Sequence, residues 1–268
     1  MNSKDALEDS LIRFGVWAGA LLSLFFIDQV SAPSELVASV AAFLVFLLVC
    51  GFVVSLGDGL RLLERSGRAV AAVVLLSVGV ASVVSIQTLQ PLLHAILGGV
   101  ALMAGGGLLG AAVGRHVRDP SHLWPLVIVA AAADLFSVFS AAGLTRAIVE
   151  SRGPVTLSSV VLHAPVPGFG IVPLLGVGDV VFVAFLCSAS AASGLRRSRT
   201  NGALLAAFAL CGALVVSLGV ALPALPLLGP LVALAHGREA APRKSELAQA
   251  LVFVGVFGVV ALLARAVS

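Results

Sequence analysis

The chain has 268 residues, 60 % of them hydrophobic and 11 % charged, with a mean hydropathy of +1.14; soluble domains carry about 25 % charged residues, so a soluble globular enzyme is excluded. Disorder and a disulfide framework are excluded as well, because the deficit is in charge and the three cysteines, Cys50, Cys187 and Cys211, lie in separate apolar runs. The charge of +3 and pI near 9.1 would suggest anionic partners in a soluble protein, but here the basic residues have the ordinary use of setting topology, and no nucleic-acid partner is expected.

At about 20 apolar residues per crossing, this composition predicts an all-α polytopic membrane protein. Apolar runs bounded by charged or Gly/Pro clusters place spans at 11–28, 36–57, 69–86, 92–114, 123–142, 171–194, 203–222, 223–236 and 247–264, about nine transmembrane helices; the eighth is short for a full crossing and reads as a half-span or as a longer helix continuing toward Glu239. Residues 1–122 then form an N-terminal four-helix region and 123–268 a second membrane region. The N-terminus does not read as a cleavable signal, since Lys4 is outnumbered by Asp5, Glu8 and Asp9 and no short apolar segment ends in a small-residue site. With the N-terminus cytoplasmic, 13 of the 16 Lys and Arg fall inside and only Arg146, Arg152 and Arg265 outside, which predicts an extracytoplasmic C-terminus. The long connection 143–170 is then outside, and its β-branched stretch 155–162 predicts a strand or hairpin.

Of the 13 acidic residues, eleven fall in loops or at span ends where water reaches them. Asp134, inside 123–142, and Asp179, inside 171–194, do not. A carboxylate at such depth costs at least about 2.5 kcal/mol, which marks a functional site; the bland reading is a protonated Asp bonded to a neighbouring helix. On consecutive antiparallel spans the two can meet, and two carboxyls in contact cannot both ionise. One then activates water as a general base while the other donates to an amide carbonyl. No Lys or Arg lies near either in sequence, and His94, His116, His122, His163 and His236 are scattered, so neither a metal nor a cofactor is expected.

Gly176 and Gly178 precede Asp179, where they would let the backbone approach closely or leave helical geometry so that the carboxylate faces a cavity. Pro223-Ala224-Leu225-Pro226 opens the eighth run. Two prolines three apart remove two backbone donors and leave carbonyls that tolerate membrane depth only in a protein-lined or wet cavity; the plainer reading is a proline at a helix N-terminus.

The ordered set Asp134-Leu-Phe, Gly176-Val-Gly-Asp179 and Pro223-Ala-Leu-Pro226, with the stretch 144–151 after the first aspartate, resembles the intramembrane aspartyl proteases of the presenilin and signal peptide peptidase type. The resemblance covers about 123–236. It implies that Asp134 and Asp179 are a catalytic pair, that Gly176 and Gly178 support the second aspartate, and that Pro223, Ala224, Leu225 and Pro226 border a substrate cleft. The implied partners are the lipid bilayer and a transmembrane peptide or membrane-protein substrate, held by strand addition at 155–162 or near Pro223. Two features depart from the family: Ala133 stands in place of its tyrosine, and four runs rather than five precede Asp134.

Three other readings stay open. A prepilin-type peptidase also carries Gly-x-Gly-Asp, but usually has a lysine where this chain has Val181, and lacks Pro-Ala-Leu. A proton-coupled transporter would use both aspartates as a relay and would be supported by inverted repeats, of which the sequence has none. An inactive family member serving as a scaffold would be expected to lack an aspartate.

Overall fold

The computed structural model describes Ile12, Val16 and residues 35–63, 91–139, 161–166, 169–218 and 222–267. These residues are mostly helical: α1 (Glu35–Leu63), α2 (Pro91–Gly114), α3 (Leu123–Phe139), the hairpin β1 (Val161–Val166) and β2 (Gly170–Gly176), α4 (Val177–Ala192), α5 (Arg197–Leu218), α6 (Leu225–His236) and α7 (Lys244–Val267), with short 3-10 turns at Pro120–His122 and Gly237–Ala240. Among the described residues, three helical stretches are long and apolar enough to cross a membrane: Val37–Gly59, Pro120–Ser137 and Arg197–Leu218. Val177–Ala192 is a shorter apolar helix. The runs expected at 36–57, 92–114, 123–142, 203–222 and 247–264 correspond to α1, α2, α3, α5 and α7. The runs 11–28, apart from Ile12 and Val16, and 69–86 lie outside the described residues, as do 155–160 of the expected strand.

One run folds differently from expectation. The sixth run does not start as a helix: its first residues form β2, paired antiparallel with β1 from Val161↔Gly176 to Val166↔Gly170, with an irregularity between Leu162 and His163. A short apolar run such as Ile171-Val-Pro-Leu-Leu175 cannot be told from a helix by periodicity, and its proline suits an outer strand of a two-stranded sheet. Asp179, expected inside the span 171–194, therefore lies in the first turn of α4. The eighth run, short for a full crossing in the sequence, forms α6, a helix of 12 residues.

The helices pack into one core that includes Val49, Val53, Val127, Leu162, Val183, Leu186, Leu204, Phe208 and Leu228. The closest approach is between α2 and α4. A Cβ on Gly106 would stand 3.2 Å from Val177 Cγ2, and on Gly110 and Gly114 it would collide with the carbonyl oxygens of Val181 and Phe185. Glycines spaced by four thus let two helices running in the same direction touch along their backbones, and they fix where α4, and Asp179 with it, begins.

The C-terminal ends of α1 and α6 meet the N-terminal ends of α3, α5 and α7 in a polar layer. Asp58, only 2 % exposed, is ion-paired with Arg197 and accepts from Asn201 Nδ2 at 3.3 Å. The expectation that water reaches Asp58 fails because α1 runs on to Leu63 and the start of α5 closes over it. Buried Thr200 Oγ1 and His236 Nε2 share a hydrogen bond at 2.9 Å, and Arg199 pairs with Glu239 at 3.2 Å. Arg243 pairs with Asp119 at 2.8 Å, and Ser121 Oγ donates to Glu246 Oε1 at 3.2 Å. Asp119 caps the 3-10 turn; the hydrogen bonds from Ser121, with Arg243 beside it, hold its carboxyl below the usual range.

Candidate active site

The opposite end of the bundle carries the three motifs. Asp134 is half-buried, beyond the middle of α3, next to exposed Ala133. Its Oδ2 accepts a hydrogen bond from the backbone N–H of Leu225 at 3.2 Å. The reason is local to α6. First-turn N–H groups of a helix have no partner within it; Pro226 has none to offer, so the free donor beside it is that of Leu225, and a carboxylate at a helix N-terminus is well placed. Ala224 is the N-cap residue, in helical conformation, and its carbonyl accepts from Leu227 and Leu228 at 3.0 and 2.9 Å. The prolines therefore start a helix rather than strand carbonyls, and the freed group is an N–H that the first aspartate takes.

Asp179 occupies the third position of α4, where its Oδ2 accepts from the backbone N–H of Gly176 at 3.1 Å. This is the return half of a capping box, and it forms because β2 ends at Gly176 and the chain turns directly into the helix. Gly176 serves through its N–H, not through unusual dihedrals: its φ of −73° and ψ of 152° are open to any residue. A Cβ on Gly178 would meet nothing within 4 Å, so this residue is not needed for packing and leaves the approach to Asp179 open.

Asp134 and Asp179, 45 positions apart in the chain, are linked through the start of α6: Asp134 holds the N–H of Leu225, and the preceding Ala224 lines the same cavity as Asp179. Among the described residues neither has a cationic partner, and no group of three or more His, Cys, Asp or Glu side chains gathers to hold a metal. A cavity of about 320 Å³ opens beside Asp179. Leu174 and Leu175 of β2, Phe43 and Phe46 of α1, Cys211 of α5 and Ala224 before α6 help to line it. Of the expected site residues, the structure joins Asp134 to Leu225 and Asp179 to Gly176, and sets Ala224 on the same cavity as Asp179.

The reading from sequence missed Phe43, Phe46, Cys211 and Gly212 of the cavity and the glycines that seat α4. Only the last had a signal: Gly106, Gly110 and Gly114 stand at the spacing used in close helix packing. Comparison with protein-family models, with characterised proteins and with solved structures gives no match.

Proposed function

We propose that the protein is an intramembrane aspartyl endopeptidase that hydrolyses peptide bonds in transmembrane segments, with Asp134 and Asp179 as its catalytic pair. The observation that carries this reading is the convergence of three distant segments. The Asp134 carboxyl bonds the first N–H of the helix opened by Pro223-Ala-Leu-Pro226, and Asp179 shares its cavity with Ala224 of the same motif. Each Oδ2 is held by one backbone N–H, which leaves the other oxygens for water and substrate.

In this reaction the pair shares one proton. The ionised carboxyl takes a proton from water as that water attacks the amide carbon, and the protonated one donates to the carbonyl oxygen. The tetrahedral intermediate collapses as the leaving nitrogen is protonated and the C–N bond breaks. A substrate helix must unwind to present an amide, and the outer strand β2, whose Leu174 and Leu175 line the cavity, offers an edge for an extended segment.

The chain is read as about nine transmembrane helices with the N-terminus cytoplasmic, the basic polar layer inside and the site in the extracytoplasmic half of the bilayer. In that hand, which is that of the signal peptide peptidase branch, the preferred substrates are segments with cytoplasmic N-termini, such as signal-peptide remnants or type II anchors. The test is incubation of the purified, detergent-solubilised protein with a panel of transmembrane peptides, with and without an aspartyl-protease transition-state inhibitor. Inhibitor-sensitive cleavage is expected; intact peptides throughout would contradict the reading. A proton-coupled transporter would leave every peptide intact.

A further inference from the structure

We infer that the cavity beside Asp179 is a specificity pocket that receives one large apolar side chain of the substrate next to the bond to be cut. This rests on the proteolytic reading and adds to it a substrate requirement and the residues that set it.

Apart from the Asp179 carboxyl at its edge, the wall is apolar: Leu174 and Leu175 from β2, Phe43 and Phe46 from α1, Cys211 from α5. A charged substrate side chain there would be desolvated with only the working carboxylate to meet it. A leucine, methionine or phenylalanine side chain fills the space at no such cost. The occupant is a peptide rather than an acyl chain because the same cavity joins a strand edge to a carboxyl whose second oxygen needs a polar partner. An extended peptide along β2 supplies both a backbone amide and, at the next residue, a side chain directed to one face.

The depth of the pocket is set at Gly212. A Cβ there would stand 2.9 Å from Phe46 Cε1 and 3.0 Å from Phe43 Cε2, so the absence of a side chain lets both rings lie back against α5. Phe46 has little room to retreat, because its ring also meets Phe208 edge to face at 6.1 Å. Adding a methyl at 212 therefore pushes Phe43 into the cavity, while truncating Phe43 enlarges it.

The test is cleavage of a transmembrane peptide series in which each position flanking the cut carries Ala, Val, Leu, Phe, Trp or Lys in turn. One position is expected to favour Leu or Phe over Ala by at least about tenfold in kcat/KM. Gly212→Ala should move that preference toward Val or Ala, and Phe43→Ala should move it toward Trp. Cleavage indifferent to every position, a preference for Lys, or a profile that neither variant moves would overturn the pocket. If no peptide is cut at all, the proteolytic reading fails, and a second arm still decides the pocket. In a Cys50→Ala/Cys187→Ala protein, a Phe-bearing peptide should slow N-ethylmaleimide addition to Cys211 at least about tenfold more than its Ala counterpart; equal protection would overturn the proposal.

Discussion

The two ends of the helix bundle treat acidic side chains in opposite ways. At the polar end Asp58, Asp119, Glu239 and Glu246 each meet Arg or His, whereas among the described residues Asp134 and Asp179 at the other end are held only by backbone N–H groups. A carboxylate paired with a guanidinium is neutralised and fixed; one held by a single N–H keeps an oxygen and a titration free for chemistry. On the proposed function, the polar end holds the fold together and the other end carries the reaction, and both roles have consequences that can be broken experimentally.

The largest effect on stability should come from Asp58→Ala. It leaves the Arg197 guanidinium facing a buried site, and removing one partner of a buried pair costs about 3–5 kcal/mol. A thermal-unfolding series should show the deepest loss here, while Asp179→Asn, which keeps the size of the side chain, should change unfolding much less. Equal losses for both would erase the distinction between the ends.

Gly110→Ala comes next. Its methyl would strike the Val181 carbonyl, so α4 must shift, at about 1–3 kcal/mol; cleavage should fall through displaced Asp179, with a drop in kcat exceeding any rise in KM. A variant that unfolds earlier yet turns over normally would show that the glycine contact does not position the site.

Leu225→Ala is expected to lower cleavage or shift the cut position, because the residue directly follows Ala224 of the cavity wall, while the N–H that serves Asp134 is retained. Mass spectrometry of the products reads this directly. An altered pH optimum with unchanged cut sites would mean that the segment acts on protonation instead.

The smallest effect concerns Asp119. Its folded-state affinity for protons is lowered by the Ser121 hydrogen bonds, so the stability it contributes is present above the unfolded carboxylate value and is lost as pH falls through the folded one. The difference in melting temperature between wild type and Asp119→Asn should be small at neutral pH and vanish on acidification; a difference that grows in acid would reverse the sign.

Much of this contrast was legible in the sequence, but not all. Long apolar runs located α1, α2, α3, α5 and α7 because a helix of bilayer length needs little besides hydrophobicity. The two aspartates stood out for the same reason, since each interrupts such a run, although Asp179 lies at the start of its helix. The strand β2 was hidden because its residues are as apolar as a span and its partner strand only begins at Val161. Asp58 was misplaced because its partner Arg197 is 139 positions away, a contact that packing creates and no local pattern announces. Likewise, Phe43 and Gly212 meet only when α1 and α5 cross.

The central claim is that Asp134 and Asp179 act as one catalytic unit, and it is tested most directly by measuring transmembrane-peptide cleavage by Asp134→Asn and Asp179→Asn, each purified beside wild type with matching thermal unfolding. An amide cannot pass on the shared proton, so each variant should fold and neither should cut. Near wild-type cleavage by either one would contradict the account.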